Sequence, residues 1–383
     1  MKKLSAFLAA TAGAALMATA SPSVKLIHSE TVNDTVVDAT LPSGLAIAPN
    51  GDYLATFADQ CDGGPGCKSY LIRSGDRGRT WSAPEKIWTP KSETEGISAG
   101  IFNLPDGSLM LEMLHVHHES SDHQKAVFYG NRDSVIELYT SSDNGRTFQL
   151  LQTLKKPDGA LFATVCGVTR LANGDLVIGA YGYPQARKDP KAKYGSGWYR
   201  STDGGKTWGD FEPIFRDEPK NGDTPLGFNE NTFVVRPDGS IVAFARIDSR
   251  PVCNHYMAIS KDQGRSWSDP VDTGRQCGDY PHIVKLDDGS GWLMVCGNRA
   301  ARPIPDAVTF FHSADGVKFK DIGTAFYQPD NRHVPFKSAT GGIQNIIHGP
   351  SKNQYYVIFY AHDPKLPGVN KLRIEGNMIE IVP

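Results

Sequence analysis

The sequence predicts an all-β protein, a six-bladed β-propeller built from four-stranded antiparallel blades. Three observations carry this. A hairpin pattern occurs six times, a polar motif ending in an aromatic residue occurs five times, and the two alternate along the chain.

The hairpins are LAIAPNGDYLATF (45–57), IFNLPDGSLMLEML (101–114), VTRLANGDLVIGAY (168–181), TFVVRPDGSIVAFAR (232–246), HIVKLDDGSGWLMVC (282–296) and IIHGPSKNQYYVIFY (346–360). Asn-Gly and Asp-Gly pairs between β-rich apolar runs are strong hairpin signals. The polar motif reads SGDRGRTW (74–81), SSDNGRTF (141–148), STDGGKTW (201–208), SKDQGRSW (260–267) and, worn, SADGVKF (313–319). Its Asp bonds nearby backbone N–H groups, its Gly supplies a positive φ, and its aromatic ring fills the space beneath the turn. Each copy offers only one or two carboxylates, too few for a calcium loop, so the motif is read as structural. Hairpin plus turn makes one blade, and KLIHSETV (25–32) is expected to close the ring against the sixth.

Composition agrees. The 383 residues include 39 Gly and 25 Pro, and 39% are hydrophobic, which suits many short strands around a large core. A formal net charge of −2 and no basic run argue against a nucleic-acid partner. Residues 1–20 read as a signal peptide: Lys2 and Lys3, an apolar Leu4–Met17 stretch, and Ala18-Thr19-Ala20 before the cut. The mature propeller then spans 21–383, exported to the periplasm or beyond, with no membrane span and as a monomer. Cys61 and Cys67 flank DGGPG as one candidate disulfide and Cys253 with Cys277 as another, while Cys166 and Cys296 sit in apolar runs. No Cys/His spacing suggests a metal, and no cofactor is implied.

Topology locates a site. Residues before each first hairpin strand and after each second strand share one face, where six blades surround a bowl. That face carries Asp59, Asp62, Glu95, His115, His117, His118, Asp122, Tyr181, Tyr183, Asn229, Glu230, Arg246, Arg250, Asp279, Tyr280, His282, Arg299, Gln344, Asn345 and His362. The opposite turns offer mainly Asn, Asp, Gly and Pro. Arginines, histidines and carboxylates gathered at one end mark that end as functional.

The polar motifs are the Asp boxes, or BNR repeats, and with them nearly the whole mature chain resembles the sialidase superfamily. FNENTFVVRPDGSIVAFAR (228–246) is similar to the sialidase fourth blade. The resemblance implies that Glu230 is an activating carboxylate, that Arg246 grips a substrate carboxylate, and that Asp59 or Asp62 stands at the general acid/base position. Arg299 is a second carboxylate-binding candidate, since a planar guanidinium binds a carboxylate through two hydrogen bonds. His115, His117, Tyr181, Tyr280, His282 and Gln344 complete the expected substrate contacts.

Two departures shape the chemistry. ATLPSG (39–44) lacks the Arg that sialidases carry there, and SATGGIQN (338–345) lacks their nucleophilic Tyr. An inverting hydrolase needs only two carboxylates and a water, which Glu230 and Asp59 or Asp62 supply. The expectation is therefore an exported, sialidase-like exo-glycosidase acting on an acidic sugar. A uronate-specific polysaccharide lyase using His115, His117 or Tyr181 as base stands as an alternative, as does a non-catalytic glycan-binding propeller.

Overall fold

The computed structural model describes residues 22–36, 40–59, 63–122, 132–155, 161–183, 195–215, 227–247, 254–276, 281–298, 307–325, 345–362, 365–367 and 372–383. The signal-peptide expectation and the cysteines Cys61, Cys253 and Cys277 lie outside them.

Each hairpin forms the first two strands of a four-stranded antiparallel sheet, and there are six such sheets. Blade one holds β2 (Thr40–Ile47), β3 (Tyr53–Ala58), β4 (Ser69–Ser74) and β5 (Glu85–Trp88). Blade two holds β6 (Glu95–Asn103), β7 (Leu109–His118), β8 (Arg132–Ser141) and β9 (Gln149–Thr153). Blade three holds β10 (Leu161–Arg170), β11 (Leu176–Tyr183), β12 (Gly195–Ser201) and β13 (Phe211–Phe215). Blade four holds β14 (Phe228–Val235), β15 (Ile241–Ile247), β16 (Asn254–Ser260) and β17 (Val271–Gln276). Blade five holds β18 (His282–Lys285), β19 (Trp292–Asn298), β20 (Ala307–Ser313) and β21 (Lys320–Ala325). Blade six joins β22 (Asn345–His348), β23 (Gln354–His362) and β24 (Leu372–Val382) to the N-terminal β1 (Ser23–Asn33). β1 pairs with β24 from Ser23↔Val382 to Asn33↔Ile374, so the expected closing strand is in place.

Alternation along the strands sends side chains to both faces of every blade, and the core is accordingly six interblade layers. Tyr356 and Ile374 of blade six meet Tyr53 and Phe57 of blade one. Leu54 meets Ile101 and Leu111 across the next gap. Met110 meets Ile178 and Tyr199, Trp198 meets Phe233, Phe244 meets Trp292, and Val295 meets Tyr355.

The Asp boxes join third strands to fourth strands. In the first, Asp76 accepts from Ser74 Oγ at 2.7 Å, from the backbone N–H of Arg79 and Thr80, and from Thr80 Oγ1 at 2.6 Å. Those donors, led by Thr80, hold its carboxyl down at about 2, and Asp203 and Asp262 are held at about 2 in the same way. The carboxylates are thus consumed within their turns. The box glycine serves a second purpose. Gly264 has φ +84°, and a Cβ there would fall 2.2 Å from the Trp198 ring of the preceding blade. Gly78 lies against Tyr356 of blade six in the same way, and Tyr356 Oη donates to its carbonyl at 3.1 Å. The boxes of blades one to five therefore staple each of these blades to the one before it.

Candidate functional site

The blade-four entrance is built by a β-bulge. Phe228 pairs with Ile247 and Asn231 pairs with Ala245, so Asn229 and Glu230 together oppose the single residue Arg246. The bulge sets Glu230 against Arg246, whose Nη1 donates to Oε2 at 2.6 Å, with both residues buried. A buried charge-assisted bond of this kind is strong, and removing either partner is costly because the other stays buried. Asn231 anchors the bulge from below. Its Nδ2 donates to Ala180 O, Ser196 Oγ at 2.6 Å and Gly197 O of blade three. The side-chain oxygen of Asn229 is buried with no hydrogen-bond partner among the described residues. Across the sheet Arg246 is paired with His255 of β16, which is fully buried.

Blade two holds a second polar cluster on its blade-one side. His115 Nε2 lies 3.1 Å from Glu137 Oε2, and His115 Nδ1 lies 3.6 Å from Glu95 Oε1. Tyr139 Oη donates to Glu137 Oε2 at 2.6 Å, and the backbone N–H of Lys91 donates to Glu95 Oε2 at 2.5 Å. Burial, then the bond to Glu137, pushes the Tyr139 hydroxyl well above its ordinary value. Trp88 of blade one packs edge-on against the His115 ring at 5.3 Å. Both His115 nitrogens thus face carboxylates, whereas His117 is exposed at the rim. His118 turns to the other face, where its Nε2 lies 2.8 Å from Gly63 O.

In blade one, Asp59 is already engaged. It accepts from the backbone N–H of Lys68 at 2.8 Å, from Lys68 Nζ at 3.5 Å and from Tyr70 Oη at 3.3 Å. Burial first, and Asp59 second, push the Tyr70 hydroxyl up to about 12. Tyr181 stands on β11 opposite Ser196, beside the Asn231 anchor of blade four. His282 opens β18 opposite Val295, on the blade-six side. Asp62, Tyr280, Arg299 and Gln344 lie outside the described residues.

Among the sequence-derived candidates, the structure brings Glu230 directly to Arg246 and Glu95 to His115. Of the other described candidates, Asp59 lies in blade one, Tyr181 in blade three and His282 in blade five. Sequence reasoning did not single out His255, Glu137 or Tyr139. Period-two alternation placed on the β15–β16 pairing identifies His255 as the neighbour of Arg246, and the β7–β8 pairing brings Glu137 near His115. Among the described residues no group of three or more His, Cys, Asp or Glu side chains is placed to hold a metal ion, and no helix is long and apolar enough to cross a membrane.

This architecture is that of the sialidase-like propellers. The sequence matches the BNR repeat-like domain family over residues 101–324, more than half of the chain, and the chain belongs to that family. Its fold is similar to that of a protein of unknown function from Dyadobacter fermentans, with a TM-score of 0.69 and 18% identity over 94% of this chain and 100% of that one. The α-L-arabinanase of Penicillium chrysogenum, solved with arabinobiose, gives 0.58 and 14% over 93% and 98%. The NanB sialidase of Streptococcus pneumoniae gives 0.57 and 13% over 94% and 70%. At such identities the likeness establishes the fold, which is one shared with glycoside hydrolases. None of the curated proteins compared with the chain matches it.

Proposed function

We propose that this chain is an exported, exo-acting glycoside hydrolase of the sialidase type that releases an acidic sugar from the end of a glycan. The reading rests above all on the blade-four bulge, which delivers a buried carboxylate and a buried guanidinium together to the bowl end of an inner strand. Arg246, with Arg299, grips the sugar carboxylate, and Glu230 handles a proton. A second carboxylate directs water to the opposite side of the scissile bond, so hydrolysis proceeds with inversion. The engagement of Asp59 by Lys68 and Tyr70 shifts that second role towards Asp62.

One observation favours a second reading. Arg246 already shares its charge with Glu230, so this pair is close to neutral and suits an uncharged sugar such as a pentofuranose. The lyase reading loses His115 as its base, because a base needs an open nitrogen and both nitrogens of His115 face carboxylates, which leaves it the exposed His117 and Tyr181.

Mass spectrometry of products from the purified protein tests these readings on sialyllactose, linear arabinan and a uronate polysaccharide. The expected products sum to substrate plus one water, with sialic acid released from sialyllactose. Release from arabinan alone selects the neutral-sugar reading. An unsaturated uronate product, or binding without any product, overturns the hydrolase reading.

A further inference from the structure

The segment Gly63–Cys67 of blade one does not stay with its own blade. The N–H of Gly66 donates to Glu95 O at 2.9 Å, and the N–H of Ile97 donates to Cys67 O at 3.1 Å. Ser69 Oγ donates to Ile97 O at 3.1 Å. These bonds use the edge of β6 that β7 leaves open, which is the edge towards the propeller axis. The same segment also reaches the blade-three face of blade two. Gly63 O meets His118 Nε2 at 2.8 Å, and Gly63 lies over Val116, where a Cβ would be 3.1 Å from Cγ2. A strand whose free edge and far face are both touched by one short segment is wrapped by it at the bowl end.

Gly96 is what permits the wrap. A Cβ at this position would lie 1.9 Å from Gly63 O and 2.2 Å from Gly64 O, both backbone atoms that no rotamer change can move. Gly63, Gly64, Pro65 and Cys67 are all buried, so the strap is packed rather than loose. It lines the bowl end of blade two along the axial edge of β6.

The consequence concerns how a polymer fits. In a ring of six, blade four stands opposite blade one. A glycan that lies over the Glu230–Arg246 pair and continues past the axis has to leave over blades one and two, where the strap stands. We infer that the strap Gly63–Cys67 is the specificity element that makes the bowl a pocket for a chain end, and that Gly96 is the positioning residue that lets it dock. The inference rests on the hydrolase reading above and deepens it.

The test compares the wild type with Gly96→Ala and with the milder His118→Ala, which removes only a side-chain tie. Linear arabinan and α-2,8-linked polysialic acid serve as polymer probes, and hydrogen exchange of the Gly66 and Ile97 amides reports the strap itself. The wild type is expected to release one short end product with both amides protected. Gly96→Ala is expected to lose that protection and to raise internal over terminal cuts roughly tenfold or more, with His118→Ala in between. End-only products from both variants, with the amides exchanging freely, overturn the inference and leave the hydrolase standing. A ladder of internal products from the wild type also overturns it, as does full protection in Gly96→Ala. Absence of hydrolysis in the wild type refutes the underlying function instead.

Discussion

Glu230 and Arg246 form the residue pair on which the site turns, and their energetics differ from those of surface ions. Both are nine-tenths buried, so neither carries its own water. Truncating one takes a buried charge-assisted bond from the other, at a cost of about 3–5 kcal/mol. Replacing both with apolar residues of similar volume, Glu230→Leu with Arg246→Met, restores much of that stability. Urea unfolding of the two single variants and the double variant checks this, and additive losses in the double variant contradict a direct pair. Activity behaves differently, since all three variants lose it while the singles lose the most stability. The sequence made both residues legible through FNEN and VAFAR, but not the bulge that sets their contact. The contact depends on one extra residue in β14, and an extra residue cannot be seen by counting apolar positions when Phe228 and Asn231 both face blade three.

At the scale of elements, β7 shows how alternation creates a titratable core position. Its even positions face blade three, and Glu112 among them stands between Gly100 and Leu138 within that apolar layer. Burial pushes its carboxyl up to about 8 from an ordinary 4.5. Between these two values the folded chain keeps a proton that the unfolded chain has given up. Stability therefore falls as pH rises from about 4.5 to about 8, by roughly 1.4 kcal/mol per pH unit, and the loss levels off above that window. Glu112→Gln keeps the shape and removes the proton, so its urea midpoint is expected to lose this slope. Parallel slopes for wild type and variant between pH 5 and pH 8 would exclude an up-shifted Glu112. Elements were the most legible level of the sequence. The hairpin turns and the box motifs mark five of the six blades twice, because turn chemistry is local. What the boxes touch was not legible, since the contact of Gly264 with Trp198 joins different blades. The strap was hidden for the same reason, as DGGPG reads as an ordinary closed turn until β6 lies beneath it.

The whole molecule is a ring, and a ring fails at its seam. Five blades are sequence-local, whereas blade six unites the two ends of the chain through the β1–β24 pairing. This pairing closes a loop that spans almost the entire chain, longer than the one closed by the packing of blade six on blade one, so its opening frees much of the chain. Lys25 and Glu380 face each other directly across the seam, joined by an exposed ion pair at 3.4 Å. Such a pair contributes less than about 1 kcal/mol, so little holds this position beyond the ladder itself. A covalent tie acts on a different term. Lys25→Cys with Glu380→Cys, once oxidised, restricts the unfolded chain and is expected to add about 5 kcal/mol, since the stabilisation grows slowly with loop length. The melting temperature of the double variant should rise under oxidising conditions and return near the wild-type value with reductant. Equal melting temperatures in the two redox states would show that unfolding starts inside a blade and leaves the seam shut. A rise would make the N-terminal strand the element that sets the stability of all six blades, and with it the geometry of the bowl they share.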